Sequence, residues 1–304
     1  VWGQIALWGA RRQMPEAADW FARAGNAVLQ DEQREWHARI ALRNANWPEV
    51  RAAIEAMSPQ ARLDSTWIYW RARALQTMGE AASANSEFAR ISSEIGFYGQ
   101  LASEERGQAF RLPPQASALT EEELAHALAL PGLQRALALF RLDLRYEGIR
   151  EWNWSLRGMN DRQLIAASEI AQRHEIWDRA INTADRTVAQ HAFRLRYLAP
   201  YHQALTGQAG ARNLEEHWVL GLVRQESRFI ANAKSSAGAA GLMQLMPATA
   251  RWVARKMGMK DFRWSRVTAV NVNAALGSYY LRTVLDNLDG NRVLATAAYN
   301  AGPG

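Results

Sequence analysis

The stretch VRQESRFIANAKSSAGAAGLMQLMP (223–247) sets one acidic residue, Glu226, between Arg224 and Arg228 and then runs into small residues. Val219, Leu222, Val223 and Glu226 recur at the spacing of one helical face. A carboxylate on the apolar side of a helix is desolvated, which disfavours its charged form and raises its pKa towards the range of a general acid. The flanking arginines support a second reading, in which Glu226 is half of a structural ion pair. Helix geometry alone leaves both open.

KSSAGAAG (234–241) carries no bulky side chain, so backbone can approach a ligand there, and Gly238 and Gly241 can take conformations closed to other residues. GLMQLMP then supplies Met243, Gln244 and Met246. Methionine offers adaptable apolar surface and glutamine both a donor and an acceptor, a combination suited to a sugar ring with an amide substituent; methionine equally serves as core filler.

Four helices are expected to position these residues. Asn213 followed by Glu216 reads as the capped start of the helix that bears Glu226. PATARWVARKMG has Pro247 near its first turn and Gly258 near its end. NVNAALGSYYLRTVLDNLDG and NRVLATAAYNAG complete the set.

Upstream, Trp2, Trp36 and Trp70 are 34 residues apart, as are Trp20, Ile54 and Phe88, which is the period of a helical hairpin repeat. Such hairpins stack into an α-solenoid, with the tryptophans read as core packing. LPPQ (112–115) interrupts the helices, TEEE (120–123) reads as a Thr120 N-cap with Glu123 closing a capping box, and a second helical group runs to LAP (198–200). No segment alternates like a strand, so the expected fold class is all-α. The expected division is a solenoid over 1–120, a helical linker over 121–197 and a catalytic domain over 198–304.

With 304 residues, 48% of them hydrophobic, the chain can bury substantial cores. It has no run of 18 uncharged apolar residues, and its first residues lack the features of a secretion signal. The absence of cysteine excludes disulfides, thiolate metal sites and cysteine nucleophiles, and leaves the compartment open. The net charge of +6 falls in the last third, where residues 198–304 hold twelve Lys and Arg against six Asp and Glu. An acidic polymer fits such a surface, but no basic cluster or basic-aromatic ribbon speaks for nucleic acid; the charge also serves solubility.

RQES, SSAGAAGLMQLMP and AAYNAGPG, in this order and spacing, resemble the catalytic domain of soluble lytic transglycosylases, and GFYGQLA (96–102) with the tryptophan-rich hairpins resembles the superhelical ring and linker of their large members. The resemblance implies a lysozyme-like domain that cleaves bacterial peptidoglycan, with Glu226 as catalytic acid and Ser227, the serine that follows it, among the substrate-binding residues. It places Ser235, Met243, Gln244 and Met246 along the saccharide groove, and Tyr299 and Asn300 facing the acid. It also implies a periplasmic location, in members associated with the outer membrane, and glycan strands as the substrate. No metal or cofactor is implied. The solenoid would offer a surface to cell-wall synthesis or remodelling proteins. The family's domain continues beyond AGPG with helices that close the groove, so this chain is expected to be C-terminally incomplete.

Ordinary glycosidases use two carboxylates about 5 to 9.5 Å apart. After residue 197 only Glu215, Glu216, Asp261, Asp286 and Asp289 join Glu226, and their contexts are capping or surface positions. The resemblance implies a one-acid route, in which a muramyl C6 hydroxyl closes a 1,6-anhydro bond in place of attack by water. A helical scaffold that only binds peptidoglycan, and a goose-type muramidase that hydrolyses the same bond, stand as alternatives.

Overall fold

The 34-residue phase resolves into paired helices. The computed structural model describes residues 1–25 and 27–302. In its first part, α1 (Trp2–Arg11) pairs with α2 (Ala17–Ala24), α3 (Asp31–Arg43) with α4 (Trp47–Glu55), and α5 (Ser65–Thr77) with α6 (Ala81–Ile91), before α7 (Phe97–Glu105). Ile54 and Phe88 are the buried anchors of the second and third hairpins. The first hairpin departs from the repeat: Phe21 takes the buried position beside a half-buried Trp20, and Trp2 lies exposed in the first turn of α1. Spacing identifies the anchor's turn, but tertiary packing decides which of two adjacent aromatics enters the core.

The backbone divides into two compact units, Val1–Pro113 and Pro114–Gly304, at the Pro-Pro pair of LPPQ. Proline lacks the donor a helix interior needs, so two in succession hold the chain out of helix there.

The second unit contains α8 (Glu121–Ala129), α9 (Pro131–Arg141), α10 (Arg145–Ser155), α11 (Asp161–Arg173), α12 (Trp177–Ala184), α13 (Phe193–Arg196), α14 (His202–Gly210), α15 (Glu216–Ser227), α16 (Pro247–Lys256), α17 (Val270–Asn287) and α18 (Arg292–Ala301). α8 starts on the expected capping box, with the Thr120 hydroxyl accepting from the Glu123 N–H and the Glu123 carboxylate accepting from the Thr120 N–H. One apolar core runs from Ala127 to Tyr299, on both sides of residue 198, and the fully buried Trp152 within it donates its indole N–H to Thr183 Oγ1 at 2.9 Å. The fold is all-α: among the described residues there is no extended strand, only isolated bridges. No described helix is long and apolar enough to cross a membrane.

Candidate active site

α15 presents Glu226 where its stripe predicts. Val219, Leu222 and Val223 are buried on the same face, and Glu226 follows half-buried in the last turn. The helix does not begin on the expected cap. Asn213 adopts a left-handed φ of 51° beyond the end of α14, and Glu215 stands at the N-cap without a side-chain capping bond. Asparagine tolerates that conformation well, so the residue serves the preceding turn instead.

The other end of α15 stops abruptly. Arg228 and Phe229 both take left-handed φ values, 51° and 63°, and Phe229 is buried despite its bulk. Two such residues in succession are costly, and they turn the chain sharply away just past Glu226. Ser227 is buried too, its hydroxyl donating to the Val223 carbonyl at 3.3 Å, so its side chain supports the helix end and offers nothing to a groove.

The two arginines beside Glu226 are engaged elsewhere. Arg224 donates to both Asp185 carboxylate oxygens, at 2.9 and 2.8 Å, and to the Arg196 carbonyl at 3.0 Å, while Arg228 approaches the same Asp185 at 3.9 Å. Glu226 has no ion pair among the described residues, and burial pushes its carboxyl above the ordinary glutamate range. It lines an open groove of about 680 Å³ between α15 and α18, with His217, Trp218, Gly221, Leu222 and Gln225 on one side and Val293, Thr296, Ala297 and Asn300 on the other. Glu226 is the sole carboxylate among these lining residues. The other late acids lie at the surface: Glu215 pairs with Arg292 and His217, Glu216 with His202, and Asp286 with Arg282, while Asp261 and Asp289 are exposed.

The small-residue loop folds into stacked turns. The Ser235 N–H donates to the Ala239 carbonyl at 2.9 Å while its exposed hydroxyl accepts from the Ala239 N–H at 3.0 Å. Ala240 and Leu245 exchange both backbone bonds, at 3.0 and 3.1 Å. Gln244, at φ 44°, turns its amide inward and donates to the Gly241 carbonyl at 2.8 Å and the Ala233 carbonyl at 3.3 Å. Its donors are therefore spent on the loop.

Met243 does not line a groove. It is fully buried against α17, so close that a Cβ on Gly277 would stand 2.2 Å from its sulfur. The core-filler role wins here because a glycine on the facing helix opens a slot of thioether size. Met246, at the N-cap of α16, is 42% exposed and available to a ligand. Pro247 opens α16 as expected, and Gly258 takes a positive φ beyond its end.

Tyr299 is buried on α18 and donates its hydroxyl to the Met243 carbonyl at 2.8 Å. Burial, with a smaller contribution from the charge of Glu226, pushes its phenol far upward, so it stays protonated. Asn300 is exposed and lines the Glu226 groove; Pro303 and Gly304 of AYNAGPG lie outside the described residues. The motif's two side chains thus separate, one into the core and one into the groove.

Several residues escaped the sequence reading. Trp218 donates its indole N–H to Thr296 Oγ1 at 3.0 Å, tying α15 to α18 across the groove. Tyr280 packs against Tyr299 with ring centroids 5.2 Å apart. Asn273 is buried and bonded to three backbone groups. The only signal for Asn273 was a polar residue within an apolar helix.

Residues 204–304 match the Transglycosylase SLT domain family, and residues 127–189 match the Soluble lytic murein transglycosylase L domain family. Among curated proteins, the soluble lytic murein transglycosylase of Salmonella typhimurium is 25% identical over 272 residues, which are 89% of this chain and 42% of that protein. Its Escherichia coli counterpart is 24% identical over 303 residues, covering 92% and 46%. The chain thus spans less than half the length of these relatives. The X-ray structure of an inactive Glu-to-Gln mutant of the lytic transglycosylase Slt from Pseudomonas aeruginosa superposes with a TM-score of 0.81 at 30% identity, covering 100% of this chain and 50% of that one. The 70 kDa soluble lytic transglycosylase of Escherichia coli shares the fold, with a TM-score of 0.71 at 22% identity and coverage of 100% and 54%. With a match to the L domain family followed by one to the SLT domain family, and this likeness along its length, the chain is similar to the soluble lytic murein transglycosylases.

Proposed function

We propose that this chain carries the bond-cleaving site of a peptidoglycan lytic transglycosylase, with Glu226 as its single acid and base. The reading rests above all on a desolvated carboxyl, free of ion pairs, as the sole acid lining an open groove among the described residues. The inactive Glu-to-Gln form of the Pseudomonas aeruginosa relative supports it.

In this mechanism protonated Glu226 gives its proton to the glycosidic oxygen between N-acetylmuramic acid and N-acetylglucosamine, and the C1–O bond breaks with positive charge developing at C1. The C6 hydroxyl of the same muramyl residue then adds to C1 while the Glu226 carboxylate takes the hydroxyl proton. The product is a 1,6-anhydromuramyl end, the acid is regenerated and no water is consumed. Glu226 is the one carboxylate among the described residues lining the groove, and this route needs no second one, because a substrate hydroxyl replaces the water that a second carboxylate would activate.

Ser235, Met246 and Asn300 are the sequence-identified residues exposed enough to touch saccharide. Ser227, Met243, Gln244 and Tyr299 act by building the surroundings of the acid. Residues 198–304 form the catalytic segment, 121–197 the linker and 1–120 a helical-hairpin region suited to docking glycan strands or other wall-remodelling proteins. Peptidoglycan as substrate places the protein in the periplasm.

Glu226→Gln removes the transferable proton with little change of shape, so turnover should fall by about 10² to 10⁴ with the fold intact. A folded variant keeping more than about a tenth of native turnover would remove Glu226 from the mechanism. Mass spectrometry of digested peptidoglycan fixes the reaction: an anhydro product lies one water below a hydrolysed one. A hydrolysed product would make this a goose-type muramidase, and binding by the native protein without any product would make it a glycan-binding scaffold.

A further inference from the structure

The loop that meets Tyr299 rests on one buried amide. Asn273, in the first turn of α17, is completely buried. Its Oδ1 accepts from the Met243 N–H at 2.7 Å, and its Nδ2 donates to the Val267 carbonyl at 2.8 Å and the Ala240 carbonyl at 3.2 Å. Its acceptor oxygen and both of its donors are therefore used, in three bonds that reach two separate stretches of loop. The site admits little else, because a Cβ on Gly241, at φ +84°, would stand 2.1 Å from Asn273 Nδ2.

Met243 is consequently held at both of its backbone groups. Asn273 takes its N–H, and the Tyr299 hydroxyl donates to its carbonyl at 2.8 Å. Tyr299 precedes Asn300, which shares the groove with Glu226. If the Met243 backbone were released, the phenol would lose its acceptor inside the core and seek another. His217 is the remaining titratable group lining that groove, and the Arg224 and Arg228 guanidiniums are turned to Asp185.

Building on the reading of Glu226 as the acid, we propose that Asn273 is a positioning residue for the reaction: it fixes the Met243 carbonyl as the acceptor of the Tyr299 hydroxyl and so keeps that phenol from hydrogen-bonding to Glu226. A phenol donating to Glu226 would favour the carboxylate and withhold the proton that cleavage needs. Asn273 itself is not among the groove-lining residues, so its effect falls on turnover and not on substrate binding.

The test is a double-mutant cycle with Tyr299→Phe, which deletes the hydroxyl, run on protein verified as folded by circular dichroism. Asn273→Ala should lower kcat by about tenfold with KM within about twofold, yet lower it by less than about threefold in the Tyr299→Phe background, since the two residues act in series. A general weakening of the fold would instead give equal losses in both backgrounds, and that result overturns the proposal. Asn273→Asp, neutral in so buried a site, keeps the acceptor for the Met243 N–H and should retain kcat within about threefold of native. If Asn273→Ala does not fold, or Tyr299→Phe alone is inactive, Asn273→Asp decides: a loss of more than about tenfold in the folded variant overturns the proposal. These outcomes count only where the native protein releases anhydro product and Glu226→Gln does not, so failure of the Glu226 reading is seen separately.

Discussion

Arg224, two residues before Glu226, donates to both oxygens of the Asp185 carboxylate, at 2.9 and 2.8 Å, and its guanidinium carbon lies 5.3 Å from the centre of the Tyr197 ring. It ties α15 to the segments that follow α12 and α13, and it does not neutralise the acid. Arg224→Gln should therefore leave kcat within about threefold of native while lowering stability by about 1 kcal/mol, as expected for a partly exposed pair. Steady-state kinetics beside urea unfolding checks both halves. A large loss of turnover with unchanged stability would restore Arg224 to the site.

The desolvation of Glu226 ties stability to pH. Its folded-state pKa lies above the unfolded value, so the folded protein holds the proton more tightly. That contribution is fully present below the ordinary glutamate value of 4.5 and is lost as pH rises through the folded pKa. Glu226→Gln should consequently melt at a higher temperature than the native protein at neutral pH, with the difference vanishing in acid. A melting temperature unchanged by the substitution across the whole range would mean the carboxyl is not desolvated.

Gly277 is where α17 meets the loop. A Cβ there would stand 2.2 Å from the Met243 sulfur and 2.7 Å from the Met243 Cβ, and the second atom cannot swing away as the end of a flexible side chain can. Gly277→Ala should destabilise the second unit by about 1–3 kcal/mol through overpacking. It should also lower turnover, because Met243 carries the carbonyl that holds Tyr299. Met243→Ala in the same protein opens space and should recover part of the lost activity; no recovery would show that the clash lies elsewhere.

The excess of twelve basic over six acidic residues in 198–304 faces, on the proposed reading, a wall polymer bearing carboxylates. Binding to purified sacculi should weaken as added salt shortens the screening length from about 10 Å at 0.1 M to about 3 Å at 1 M. Pelleting assays across that range check it. A flat bound fraction would assign the charge to solubility alone and leave shape recognition as the source of affinity.

What the sequence determined on its own is what neighbours within a few residues dictate. The apolar stripe ending in Glu226, the Thr120 and Glu123 cap and Pro247 at the head of α16 all follow from the 3.6-residue turn or from one backbone's own hydrogen bonds, and each stands in the fold. Tertiary structure alone decided which partners the polar groups chose. Arg224 passed over Glu226, two residues on, for Asp185, 39 positions away. Met243 left the groove because Gly277 opens a slot for it, and Asn273 found the Met243 N–H 30 positions back. Tyr299 turned to a carbonyl 56 positions away and not to the acid. Such choices depend on which surfaces are packed together and which buried groups would otherwise go unbonded, and no local spacing records that.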